Sequence, residues 1–114
     1  MNPTVRHAFN LEMAAAHRLL TEGDVDNAFI HLERAHVVGQ RYVIPHVQTH
    51  WHMLRIGLLR RSVPQVWGQA VRIVLGALGS AVGVVPTGNT GGTNISMFAR
   101  MPIHLDIQRI LGKE

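Results

Sequence analysis

His36, His46, His50 and His52 crowd into one short stretch of a 114-residue chain that has eight histidines in all. Glu33-x-x-His36 sets a carboxylate and an imidazole one helical turn apart on one face. Helix-bundle metal sites use this spacing because both groups can reach one ion between helices. His46-x-x-x-His50 places two imidazoles on one face in the same way. Glu12 falls within the apolar stripe of its own segment, where an unpaired carboxylate is costly unless it is neutral, paired or metal-bound. His104 stands beside an apolar face near the C-terminus. Glu12, Glu33, His36, His46, His50 and His104 are therefore the predicted metal ligands. Imidazole with carboxylate suits zinc, iron, manganese, nickel or copper without selecting among them. A full two-iron carboxylate site needs a second Glu-x-x-His pair, and this chain has one, so a single ion or a site completed across a homodimer is expected.

Other chemistries find less support. Haem is a lesser candidate, with His36 and His50, or His50 and Met53, as formal axial ligands. The chain has no Cys-x-x-Cys-His attachment motif and aromatics are only 5% of it. The absence of cysteine excludes disulfides, thiolate zinc sites, iron–sulfur clusters and a cysteine nucleophile. Met13, Met53, Met97 and Met101 could ligate copper but are read as core filling. The stretch Gly88-x-x-Gly91-Gly92 lacks the Lys-Ser/Thr ending of a phosphate loop and follows no strand. It is read as a surface loop, with a lid over the metal site as a second reading.

Charge is unevenly placed. Residues 1–40 hold three Arg against five acids, whereas residues 41–114 hold eight basic groups against two. Ten of the eleven basic residues are Arg, a side chain suited to forked contacts with carboxylate or phosphate. An acidic protein partner is one expectation, with Arg55, Arg60 and Arg61 as its surface. Nucleic acid is not expected, since no reading motif accompanies the arginines. Nor is a membrane span: Ile73 to Val85 carries no charge, but the run is short and suits a buried core helix better. No signal peptide is read at the N-terminus, which suits a cytoplasmic, reducing location.

The elements that must position these residues are helical. Asn2 can cap a first helix with Pro3 in its first turn, running to Gly23. Asp24 can cap a second, with Val25, Phe29, Leu32 and His36 inward and an end near Gly39. The residue before a proline is pushed away from helical backbone, so a third helix is predicted from Pro45 to about Arg61 after an extended connection. Its predicted inward line is Val47, His50, Leu54 and Leu58. Ser62-Val63-Pro64-Gln65 reads as a capping box opening a fourth helix over 63–82. Residues 86–94 form the Gly-rich loop, and a short helix after Pro102 carries Ile103, Ile107 and Ile110. Trp51 and Trp67 are expected to pack inward, while His7 and His52 are expected to face solvent. The prediction is an all-α fold over a single domain, 1–114, with four principal antiparallel helices in a bundle, a Gly-rich loop and a short C-terminal helix.

Two resemblances add to this. Leu19 to Ala28, continuing to Ala35 through the Gly23-Asp24 turn, resembles one tetratricopeptide-type helical hairpin, but no second copy follows, so only local hairpin chemistry is implied. Leu32 to Gln40, the His46/His50/Met53 group and Pro86 to Gly92 together resemble a bacterial family of comparable length known as a domain of unknown function. That resemblance implies a single-domain bacterial cytoplasmic protein and implies no activity. From the residues alone, the expectation is a metal-binding helical protein acting as carrier, sensor or small metalloenzyme. The alternative is a non-enzymatic interaction module using the hairpin and the Arg surface.

Overall fold

Helix caps set the boundaries of the fold, a computed structural model of which describes residues 1–112; residues 113–114, the end of the expected 1–114 domain, lie outside the described part. Five helices account for its regular structure: α1 (Pro3–Thr21), α2 (Val25–Gly39), α3 (Val43–Leu59), α4 (Val63–Val82) and α5 (Leu105–Leu111). The described residues contain no strand. Asn2 Oδ1 accepts the Val5 N–H at 2.9 Å, and Pro3 has no N–H left to satisfy. Asp24 and Ser62 cap α2 and α4 through the N–H groups of Asn27 and Gln65, each at 3.3 Å. Gly23 follows α1 at φ +80°, a left-handed turn that other residues resist.

α3 departs from expectation at both ends. It starts at Val43, with Tyr42 as its N-cap, and stops at Leu59, with Arg61 at φ +53°. Pro45 is its third residue. A first-turn N–H has no intrahelical acceptor, so a proline there removes nothing, and the predicted extended connection shrinks. The inward face is also shifted by one position. It comprises His46, Thr49, His50, Met53, Ile56 and Gly57, while Leu58 is exposed. Both lines pass through His50, and apolar residues on nearly every side of α3 made them hard to tell apart.

Consecutive helices pack in turn, α1 on α2, α2 on α3 and α3 on α4, with α5 against α1 and α2. Val5, Phe9, Ala35, Val38 and Ile107 fill one core cluster between α1, α2 and α5. Ala16, Leu32, Met53 and Ile56 fill a second between α1, α2 and α3. Arg34 ties the first cluster together at its edge, bonding Glu12 through Nε at 2.9 Å and reaching Asp106 on α5.

α4 is not the buried core helix that its composition suggests. It packs mainly on α3, and only Gln69 and Ser80 are buried along its length. Val63, Trp67, Val74, Leu78 and Val82 are exposed along its outer side. Trp51 is exposed as well, so neither tryptophan packs inward. Among the described residues no helix is long and apolar enough to cross a membrane.

This division of α2 and α4 is measurable. Leu32→Ala, at a fully buried position, should lower the unfolding free energy by about 3 kcal/mol in urea titrations. Leu78→Ala, on the exposed side of α4, should change it by less than about 0.5 kcal/mol. Equal losses at the two sites would contradict the packing described.

Candidate metal centre

Two helices deliver three imidazoles to one buried point. His36 comes from the last turn of α2, and His46 and His50 from successive turns of α3. α4 forms the opposite wall through Gln69, Gly76 and Ser80. All three rings are buried, and their centroids lie 4.6, 4.7 and 4.9 Å apart. One ring nitrogen from each lies within 4.8 Å of the other two, so the trio could hold a metal ion. Gly76 gives the His46 ring its seat, since a Cβ there would sit 2.9 Å from the ring. Gly91, at φ +84°, brings the loop against His36, and a Cβ there would stand 2.7 Å from that ring.

The surrounding hydrogen bonds fix which nitrogen of each ring carries hydrogen. His36 Nδ1 faces the Asn89 carbonyl at 2.6 Å, and a carbonyl only accepts, so Nδ1–H donates. Gln69 Nε2 donates to the Gly91 carbonyl at 3.0 Å, which leaves its Oε1 to accept from His50 Nδ1 at 2.7 Å. Ser80 Oγ donates its single hydrogen to the Gln40 carbonyl at 2.6 Å and so accepts from His46 Nδ1, also at 2.6 Å. Each neutral imidazole therefore has a bare Nε2. The Nε2 atoms of His36 and His50 are 3.0 Å apart. Two lone pairs at that distance repel unless a cation lies between them.

A proton is a poor candidate for that cation. Burial, then the neighbouring His50 and His46, hold His36 well below the ordinary imidazole range, against the Asn89 carbonyl. Burial pushes His50 down to about 3, with the Gln69 bond opposing. Burial takes His46 down to about 4, with the Gly76 backbone opposing. The neutral form, which is also the form that binds metal, is thus the resting one.

The loop after α4 closes over the trio. Asn89 is buried; its Nδ2 donates to the Ser96 and Ala99 carbonyls, and its Oδ1 accepts the Gly91 N–H. A cavity of about 470 Å³ opens beside the rings, walled by Leu75, Val84, Val85, Met97 and Phe98 among others. A larger one of about 560 Å³, between α1 and α3, is mostly apolar and receives none of the three rings.

The other predicted ligands sit elsewhere. Glu12 Oε1 accepts from Arg34, and its Oε2 is 2.7 Å from His31 Nδ1, so its place in the apolar stripe is explained by ion pairing. Glu33 is half-buried and bonds the Thr90 side chain; burial raises its pKa, while Thr90 and Arg60 oppose the rise. His104 is exposed and precedes α5 without a side-chain cap. His7 is exposed as expected, whereas His52 is half-buried and its pKa is lowered, first by burial. Sequence reasoning missed Gln69, Ser80 and Asn89, the three residues that orient the imidazoles. The available signal was the few polar residues of a largely apolar helix, of which Gln69 and Ser80 are the ones buried.

Fold and site together define an all-α protein with a buried three-histidine cluster able to accept one metal ion. The chain belongs to the family described as Protein of unknown function (DUF3703), whose model matches residues 3–111, in keeping with the family resemblance in the sequence. No curated protein and no solved structure matches it.

The low histidine pKa values imply a pH dependence for the metal-free protein. Below the unfolded value of 6.5 and above the folded ones, the unfolded chain holds protons that the folded protein does not. Stability is then complete above about pH 6.5 and is lost as pH falls towards 4 and then 3. The expected slope is ~1.4 kcal/mol per pH unit for each histidine, read as a falling urea midpoint between about pH 7 and pH 5. A flat profile there would contradict the buried neutral trio.

Proposed function

We propose that this protein binds one transition-metal ion through Nε2 of His36, His46 and His50, on a single helical domain. The observation that carries the reading is the pair of bare Nε2 atoms at 3.0 Å, whose hydrogens are committed to Asn89 and Gln69 on the far side. Tetrahedral coordination at about 2.05 Å sets ligand nitrogens roughly 3.3 Å apart, close to that separation. The third ligand nitrogen lies within 4.8 Å of the other two, so coordination draws it inward onto the same ion. Zinc is the first choice, because three neutral imidazoles match its ligand preference and impose no redox demand. A porphyrin is disfavoured, since a gap of 3.0 Å between His36 and His50 leaves no slot for its plane.

Three protein ligands leave a coordination position open, and the cavity beside the rings supplies access to it. Closed four-ligand sites are structural, whereas open ones polarise a bound group or lower the pKa of a bound water. The reading is therefore a small Lewis-acid metal centre. The hydrogen bonds from Nδ1 to Asn89, Gln69 and Ser80 hold the rings and strengthen them as donors.

Purified without a histidine tag, the protein should take up one zinc per chain by elemental analysis. Its melting temperature should rise with zinc, by an amount that corresponds to ~2.7 kcal/mol at a hundredfold excess over Kd. His50→Ala should abolish uptake. Gln69→Leu should weaken it by about 10- to 100-fold while the fold persists. Glu12→Gln should lower stability and leave zinc content unchanged. Zinc uptake near zero, or full uptake by His50→Ala, would overturn the assignment.

A further inference from the structure

The cavity above the three histidines carries charge of one sign. Two arginines, Arg72 and Arg100, line it, and no Asp or Glu does. Arg72 is held by its terminal nitrogens on the Gly68 and Ile95 carbonyls, at 3.0 and 3.1 Å. Its Nε is buried with no hydrogen-bond partner. A divalent ion bound by three neutral imidazoles keeps its full double charge, because no carboxylate joins the cluster. Ion and arginines would then share a recess without a counter-charge. Most of the remaining wall is apolar side chains, Leu75, Val84, Met97 and Phe98 among them, with Asn89 and three glycines completing it. A site with one charged end and an apolar flank selects by both.

We infer that this cavity takes a small organic anion, with its charged head on the metal's open position and towards Arg72, and its hydrocarbon body against Leu75, Val84 and Phe98. The inference rests on the metal reading above and adds the chemical class of what binds there. A free inorganic anion would satisfy the charge and leave the apolar walls wet. A neutral apolar molecule would cover the walls and leave the charge unmet. The combination is what the lining calls for, and a volume of about 470 Å³ holds a molecule of some ten heavy atoms or fewer with room for water.

Cobalt(II) in place of zinc gives a visible spectrum that reports its ligands. Wild-type protein loaded with cobalt is titrated with hexanoate, acetate and 1-hexanol. Hexanoate should change the spectrum saturably, acetate should bind at least about tenfold more weakly, and 1-hexanol should leave the spectrum unaltered. Arg100→Leu, at an exposed position, should keep its cobalt and lose about threefold or more in hexanoate affinity. Arg72→Leu should keep its cobalt and lose about tenfold. Cobalt uptake with no response to hexanoate, or acetate binding as tightly as hexanoate, or both arginine variants matching wild type, overturns the inference and leaves the metal reading intact. Failure of the wild type to take up cobalt or zinc overturns both.

Discussion

Three imidazoles turned so that their unprotonated nitrogens converge is the constraint on which the remainder of this structure depends. Each ring donates outward to an acceptor that cannot reverse the bond: a carbonyl, a glutamine oxygen fixed by another carbonyl, and a serine whose hydrogen is already committed. The arrangement needs polar groups inside an apolar wall, and α4 provides them. Gln69 and Ser80 are buried there although most of the helix is apolar and much of it exposed. Read as core filling, α4 makes little sense. As the wall that sets the tautomers of His46 and His50, with Gly76 giving one ring its space, its composition is explained.

The same economy holds around Glu12. A carboxylate in an apolar stripe is costly when alone, and here both oxygens are occupied by α2, through His31 and Arg34. Arg34 also reaches Asp106, so one guanidinium joins α1, α2 and α5. The chain thus separates its polar interior into two places. The charged cluster ties helices together, while the other sets imidazole, amide and hydroxyl groups around a point where the imidazole lone pairs meet, with Arg72 and Arg100 lining the cavity beside it.

Much of the helical layout was legible in the sequence because caps are local. Asn2, Asp24, Ser62 and Gly23 act within a few residues, and those boundaries follow from side-chain chemistry alone. Pro45 misled because a proline is tolerated anywhere in a first turn, and the sequence does not say which first-turn position it occupies. His36, His46 and His50 stood out by type and spacing. Which carboxylates would join them did not, because Glu12 and Glu33 meet their partners through tertiary contacts with His31, Arg34 and Thr90. Gln69 and Asn89 were hidden for the same reason: their roles are set by contacts 19 and 53 residues away along the chain.

Asn89 links events that would otherwise be separate. Its carbonyl receives the His36 hydrogen, and its side chain holds the backbone of Ser96, Ala99 and Gly91. Anything that pulls electron density from the far side of His36 makes its Nδ1–H a stronger donor and tightens this segment. By reciprocity, ordering the segment must favour whatever sits on the other face of the ring by the same free energy. Occupancy of the centre by the proposed ion would therefore be coupled to the ordering of residues 89–99, because Asn89 and Gly91 already hold this segment against the His36 ring.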